Sequence, residues 1–153
     1  MIGADFADLD NDGNMDIITS GWTANSIFWY KSDGGDPINW QKNTIDISFD
    51  GAFLLWAEDI NGHGATDIVI HSYTLGKIYW YENNLPSGWN KYYIGTGWDF
   101  FFGDVNDDGK PDIIRGFHNS VCWYKNNLPD TNWTEIIVNT NLRDAGWAKA
   151  ADI

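Results

Sequence analysis

The chain has 153 residues, 43% of them hydrophobic and 16% aromatic, which is enough apolar material for a core in the ordinary size range of one domain. Its 22 acidic against 9 basic side chains give a formal net charge of −13, which argues against nucleic acid and anionic membranes as partners and makes calcium the natural counter-charge. Cys122 is the single cysteine, so no intrachain disulfide forms, and no run of about 18 apolar residues is present to span a bilayer.

No stretch sustains apolar residues at helical spacing. Short β-rich runs punctuated by Gly, Asn, Asp and Pro recur instead. The first unit contains the acidic loop Asp8-Leu9-Asp10-Asn11-Asp12-Gly13-Asn14-Met15-Asp16, the strand Ile27-Phe28-Trp29-Tyr30, the turn Lys31-Ser32-Asp33-Gly34-Gly35, and Trp40 at the start of a fourth strand. In the second unit the expected strands are 54–59, 67–72, 77–82 and 89–94. The loop Asp59 to Asp67 joins the first two, and the turn Glu82-Asn83-Asn84-Leu85-Pro86 follows the third. The third unit repeats the order with the loop Asp104 to Asp112, the strand Val121-Cys122-Trp123-Tyr124, the turn Lys125-Asn126-Asn127-Leu128-Pro129 and Trp133. Around Asp152 the ending resembles the approach to another loop.

A period of about 50 residues points to a solenoid or propeller. In the third strand of each unit, Ile27 and Trp29 face one side while Phe28 and Tyr30 face the other, and both sides are apolar. A strand of that kind belongs to a sheet sandwiched between neighbours, as in radially stacked blades. The predicted fold is all-β: a β-propeller segment of three four-stranded antiparallel blades plus an overlapping strand. The repeats fall near 5–50, 51–97 and 98–144, with 145–153 beginning or overlapping a further blade. Three blades do not close a ring, since propellers use about four to eight. Either a homodimer completes a six-bladed ring or the chain is part of a longer one. Met1 runs directly into the inside of a repeat with no signal peptide, which predicts a piece of a longer secreted protein or an engineered segment.

Carboxylates at alternate positions of a tight, glycine-bearing loop suit a hard cation that takes six to eight oxygens. The first loop offers Asp8, Asp10, Asp12 and Asp16 with the Asn14 carbonyl. The third offers Asp104, Asn106, Asp108 and Asp112, with the Lys110 carbonyl at the corresponding place. In the second loop the matching residues are Asp59, Asn61, His63 and Asp67, with Ala65 as the carbonyl donor. An imidazole where an oxygen is expected suits transition metals better than calcium. Two to three calcium ions per chain are expected, tightest in the first loop. The competing reading is Asx-rich turns with no metal.

Loops of this form, followed by Asp-Ile-Ile or Asp-Ile-Val and then Trp-Tyr-Glu-Asn or Trp-Tyr-Lys-Asn, resemble the FG-GAP/VCBS class of β-propeller repeats. That class occurs in integrin α-subunit heads, bacterial and archaeal surface proteins, some fungal lectins, and beside catalytic domains of some polysaccharide-degrading enzymes. The resemblance covers essentially the whole chain. It implies calcium in the loop between the first and second strands of each blade, and an extracellular or cell-surface setting.

Trp29, Trp80 and Trp123 recur at one phase, and Trp40, Trp89 and Trp133 at another, which assigns these six to packing. Trp22, Trp56, Trp98 and Trp147 fit the repeat less well and are the candidate ligand contacts, since an indole face covers the apolar face of a pyranose. Cys122 takes the place of Phe28 and Tyr79 and reads as a small core residue. His71 and His118 lie at equivalent ends of second strands and read as structural, with no Ser/His/Asp arrangement to join them. The functional expectation is a non-catalytic, calcium-stabilised module for adhesion or recognition of a carbohydrate or protein ligand. The alternatives are the propeller portion of a polysaccharide lyase or hydrolase, and a purely structural scaffold.

Overall fold

The structure is a computed structural model that describes residues 2–117 and 119–142. Trp147, His118 and the overlapping segment 145–153 lie outside the described residues. Twelve strands form three four-stranded antiparallel sheets, and no helix occurs among the described residues. Blade 1 holds β1 (Ile2–Ala7), β2 (Asp16–Gly21), β3 (Ser26–Ser32) and β4 (Trp40–Asp46). Blade 2 holds β5 (Ala52–Glu58), β6 (Asp67–Ser72), β7 (Lys77–Asn83) and β8 (Trp89–Thr96). Blade 3 holds β9 (Phe101–Gly103), β10 (Asp112–Phe117), β11 (Ser120–Asn126) and β12 (Trp133–Asn139). Each sheet is a meander with strands in chain order, the arrangement of propeller blades.

Strict alternation fixes which blade faces which. The register Ile18↔Trp29 in blade 1 and Val69↔Trp80↔Tyr92 in blade 2 defines a tryptophan face; Ile68↔Tyr81 and Ile113↔Tyr124 define the opposite, tyrosine face. The tryptophan face of blade 1 (Ile18, Ile27, Trp29) packs on the tyrosine face of blade 2 (Leu55, Ile68, Ile70, Tyr81). One step on, the tryptophan face of blade 2 (Val69, Ile78, Trp80) packs on the tyrosine face of blade 3 (Ile113, Cys122, Tyr124). Cys122 is a buried core residue whose thiol is pushed up to about 11 by burial.

Among the described residues, only the middle blade has a neighbouring blade on both faces. Sequence alternation predicts the third strand of every unit to be buried on both sides; β7 comes nearest, with Ile78, Trp80 and Tyr81 buried and Tyr79 partly buried, while β3 and β11 each keep one face partly exposed. The reason is position: blade 1 has no blade ahead of its tyrosine face and blade 3 none beyond its tryptophan face among the described residues. Ile17 is 37% exposed where its counterpart Ile68 is fully buried, and Trp40, assigned to packing by its recurrence, is exposed for the same reason.

Hydrogen bonds run from each blade back to the one before. Asn83 Nδ2 donates to the Leu9 carbonyl (2.7 Å) in the loop of blade 1 and to the Thr66 carbonyl (2.9 Å), while its Oδ1 accepts from Leu85 N–H (3.0 Å). Asn126 repeats this clasp one blade later, donating to the Ile60 carbonyl (2.8 Å) and the Pro111 carbonyl (3.1 Å) and accepting from Leu128 N–H (3.1 Å). The matching residue of blade 1 is Ser32, whose hydroxyl accepts from Gly34 N–H (3.0 Å). The innermost strands approach closely: a Cβ on Gly3 would strike the Phe53 carbonyl, and Asp5 accepts from Ala57 N–H at 2.9 Å.

Candidate functional site: acidic loops and an aromatic end

The three acidic loops connect the first and second strands of each blade and share one backbone. Positions four and six are left-handed in every copy, as Asn11 (φ 58) and Gly13 (φ 88), Gly62 (φ 71) and Gly64 (φ 90), Asp107 (φ 56) and Gly109 (φ 80). The first aspartate organises the turn. Asp8 accepts from Asp12 and Gly13 N–H (3.1 and 2.8 Å), Asp59 from Gly62, His63 and Gly64 N–H, and Asp104 from Asp108 and Gly109 N–H (3.0 and 2.7 Å).

The ninth aspartate is a buried bracket. Asp16 accepts from Leu9 and Ser32 N–H, Asp67 from Ile60 and Asn83 N–H, and Asp112 from Val105 and Asn126 N–H, so each ties its loop to the third strand. Burial pushes the Asp67 carboxyl up to about 6 and that of Asp112 upward, against the backbone N–H groups that favour the anion.

The loops differ in how their charge is met. In the first, Lys31 reaches over from β3 and pairs with both Asp10 and Asp12, 2.9 Å from the latter, holding Asp12 below the usual carboxylate range. Carboxylate oxygens of Asp8, Asp10 and Asp12 lie within 4.8 Å of one another. In the third, Lys125 stands at the place of Lys31, 3.9 Å from Asp108, while Lys110 donates to the Leu128 carbonyl. Side-chain donors of these two loops are all oxygens, the set a calcium ion requires. The second loop has Glu82 at the lysine position, and its donor group is Asp59, His63 and Asp67, again within 4.8 Å.

The opposite end of the blades carries aromatic side chains. Trp22, after β2, contacts Tyr73, after β6, at 4.8 Å between ring centres, and Tyr73 contacts Trp98, ahead of β9, at 5.5 Å. Phe53 fills the angle between Trp22 (6.0 Å) and Tyr73 (5.4 Å). Trp22, Tyr73 and Trp98 are 37%, 40% and 48% exposed, so a row of rings crosses all three blades in contact with solvent. Trp56 is placed elsewhere, 4.9 Å from Phe100 against the core between blades 2 and 3. Tyr73 is a member of the row that sequence reasoning missed. It stands at the repeat position of Trp22, and that equivalence was the available signal.

Beneath the row lies His71, fully buried against Phe53 and Tyr73, with no hydrogen-bond partner on either ring nitrogen among the described residues. Burial pulls its pKa from 6.5 down to about 4, so it is neutral at physiological pH and serves packing.

Residues 59–115, which span the second and third acidic loops, match the FG-GAP-like repeat family. No curated protein sequence matches the chain. Among solved structures the chain is similar to a lectin of Agrocybe aegerita whose structure describes specific recognition of non-reducing terminal N-acetylglucosamine. The two share a TM-score of 0.71 and 19% identity, over 95% of this chain and 40% of that one. The chain therefore spans less than half the length of that lectin, and the likeness is one of fold.

Proposed function

We propose that this chain, an array of FG-GAP-like propeller blades, is a non-catalytic recognition module of an extracellular or cell-surface protein whose ligand is a carbohydrate. The observation that carries the reading is the row Trp22, Tyr73 and Trp98, where aromatic faces from successive blades meet solvent side by side. Stacking of a pyranose on such faces gives affinity, while neighbouring polar groups fix its orientation. The named specificity of the similar lectin makes glycans ending in N-acetylglucosamine the first to test.

Calcium at the first and third loops supports this role by stiffening the opposite end of the blades. Asp8, Asp10, Asp12 and Asp16, and Asp104, Asn106, Asp108 and Asp112, would hold it, with backbone carbonyls at Asn14 and Lys110. The bound ion supplies positive charge that lets several carboxylates stand together. Further blades cover the exposed tyrosine face of blade 1 and tryptophan face of blade 3, supplied by a second copy or by a longer polypeptide.

A glycan array probed with the whole chain in millimolar calcium tests the proposal. Binding to one glycan class is expected, and Trp22→Ala with Trp98→Ala should abolish it at unchanged circular dichroism. A folded chain that ignores every glycan would refute the carbohydrate reading and leave a protein ligand or a scaffold.

A further inference from the structure

The second acidic loop breaks the pattern of the other two in three ways that point in one direction. His63 takes the place of Asp12 and Asp108, so a nitrogen enters the donor set. Its Nε2 lies 3.0 Å from the Asn83 carbonyl, which can only accept, so Nε2 carries a hydrogen and Nδ1 is the ring atom turned to the loop. Nδ1 stands 3.5 Å from an Asp59 oxygen, and Asp59, His63 and Asp67 each offer one donor atom within 4.8 Å of the other two. Donors held at about 2.1 Å around a tetrahedral ion stand about 3.4 Å apart.

An imidazole whose outer N–H is fixed by a backbone carbonyl is the usual arrangement of a metal-binding histidine, because the outer bond sets ring orientation and leaves the inner nitrogen free to donate. The third difference is charge. Lys31 and Lys125 bring an ammonium group to the first and third loops, whereas blade 2 has Glu82 there, bonded to Asn61 at 3.1 Å. The other ammonium nearby, that of Lys110, is spent on the Leu128 carbonyl. His63 and Asn61 also line a cleft of about 460 Å³ between blades 2 and 3, which gives an ion and its remaining water a way in.

We propose that the second loop is a transition-metal site, holding a borderline divalent cation such as zinc through Asp59, His63 and Asp67, and that it is not a third calcium site. Calcium prefers an all-oxygen set, while zinc accepts mixed nitrogen and carboxylate donors with one position left to water. One chain would thus carry two kinds of metal loop on a common backbone.

The metal-free 153-residue chain is titrated with Co²⁺ and then Zn²⁺ in millimolar calcium, reading the visible absorption of cobalt and the heat of zinc binding. One zinc per chain should displace the cobalt, and His63→Asp should weaken zinc by at least about 10-fold while adding a calcium equivalent. Zinc bound as tightly by His63→Asp as by the parent would overturn the site, as would complete displacement of zinc by calcium or no zinc binding. Should the variant fail to fold, imidazole nitrogen spectra of the parent decide: zinc must move the His63 Nδ1 resonance, and an unmoved resonance overturns the proposal.

Discussion

Replacing Asn126 by alanine removes one whole inter-blade clasp without touching a metal loop donor or the aromatic row. The side chain is fully buried and makes three hydrogen bonds, two to carbonyls of separate loops and one from Leu128 N–H. Truncation leaves all three backbone groups without that partner in a site closed to bulk water. At about 1 kcal/mol for each, the lower end for a buried orphan, the loss is about 3 kcal/mol. For a chain of this length that lowers the melting temperature by about 6–12 °C. Asn126→Asp sharpens the test. It keeps the oxygen that accepts from Leu128 but sets a carboxylate against the carbonyls of Ile60 and Pro111, so it should cost more than alanine. Urea midpoints for both variants, with Ser32→Ala as the blade 1 comparison, supply the measurement. A loss for Asn126→Ala below about 1 kcal/mol, or an aspartate variant more stable than the alanine one, would refute the clasp as the joint between blades.

Three further outcomes are expected. His71 binds its proton near pH 4 when folded and near 6.5 when unfolded, so the stability tied to its neutral form is complete above pH 6.5 and is lost as pH falls toward 4. The loss is about 3 kcal/mol and should be missing from the pH profile of His71→Leu, so that it appears as the difference between the two profiles; matching profiles would sink the argument. Calcium at 100 times its Kd should add about 2.7 kcal/mol for each occupied loop. Identical melting curves with calcium and with chelator, and no metal by elemental analysis, would reject the calcium assignment. Light scattering in calcium should give a dimer mass if a second copy completes the ring, with Ile17→Lys reducing it to a monomer; a monomeric parent would assign the missing blades to a longer polypeptide.

The fold was legible because three signals coincide in each unit. Acidic loops mark the first turn, apolar runs mark the second and third strands, and a tryptophan opens the fourth. In blade 2 the strands begin or end within two residues of the positions expected from sequence. What stayed hidden depends on neighbours that alternation does not report. Asn83 and Asn126 looked like turn residues, since Asn is common there, and only the preceding blade reveals them as clasps. Lys31 opens the turn Lys31-Ser32-Asp33-Gly34-Gly35 in the sequence, and only the fold brings it over Asp10 and Asp12. The irregular tryptophans could not be sorted by spacing alone. Trp56 faces the next blade and is partly buried against its core, whereas Trp22 and Trp98 sit past strand ends and remain 37% and 48% exposed.

Ser32 makes one joint unlike the others. Any blade that precedes blade 1, from whatever source, meets a short hydroxyl already bonded to Gly34 where the two internal joints have an amide that reaches back. A closed ring built from these blades would therefore have a seam, and breathing would start there while the internal joints stay shut. The seam would be where partners exchange and where a protease or a late-arriving blade gains entry, and lengthening that one side chain by Ser32→Asn is the smallest change that would seal it.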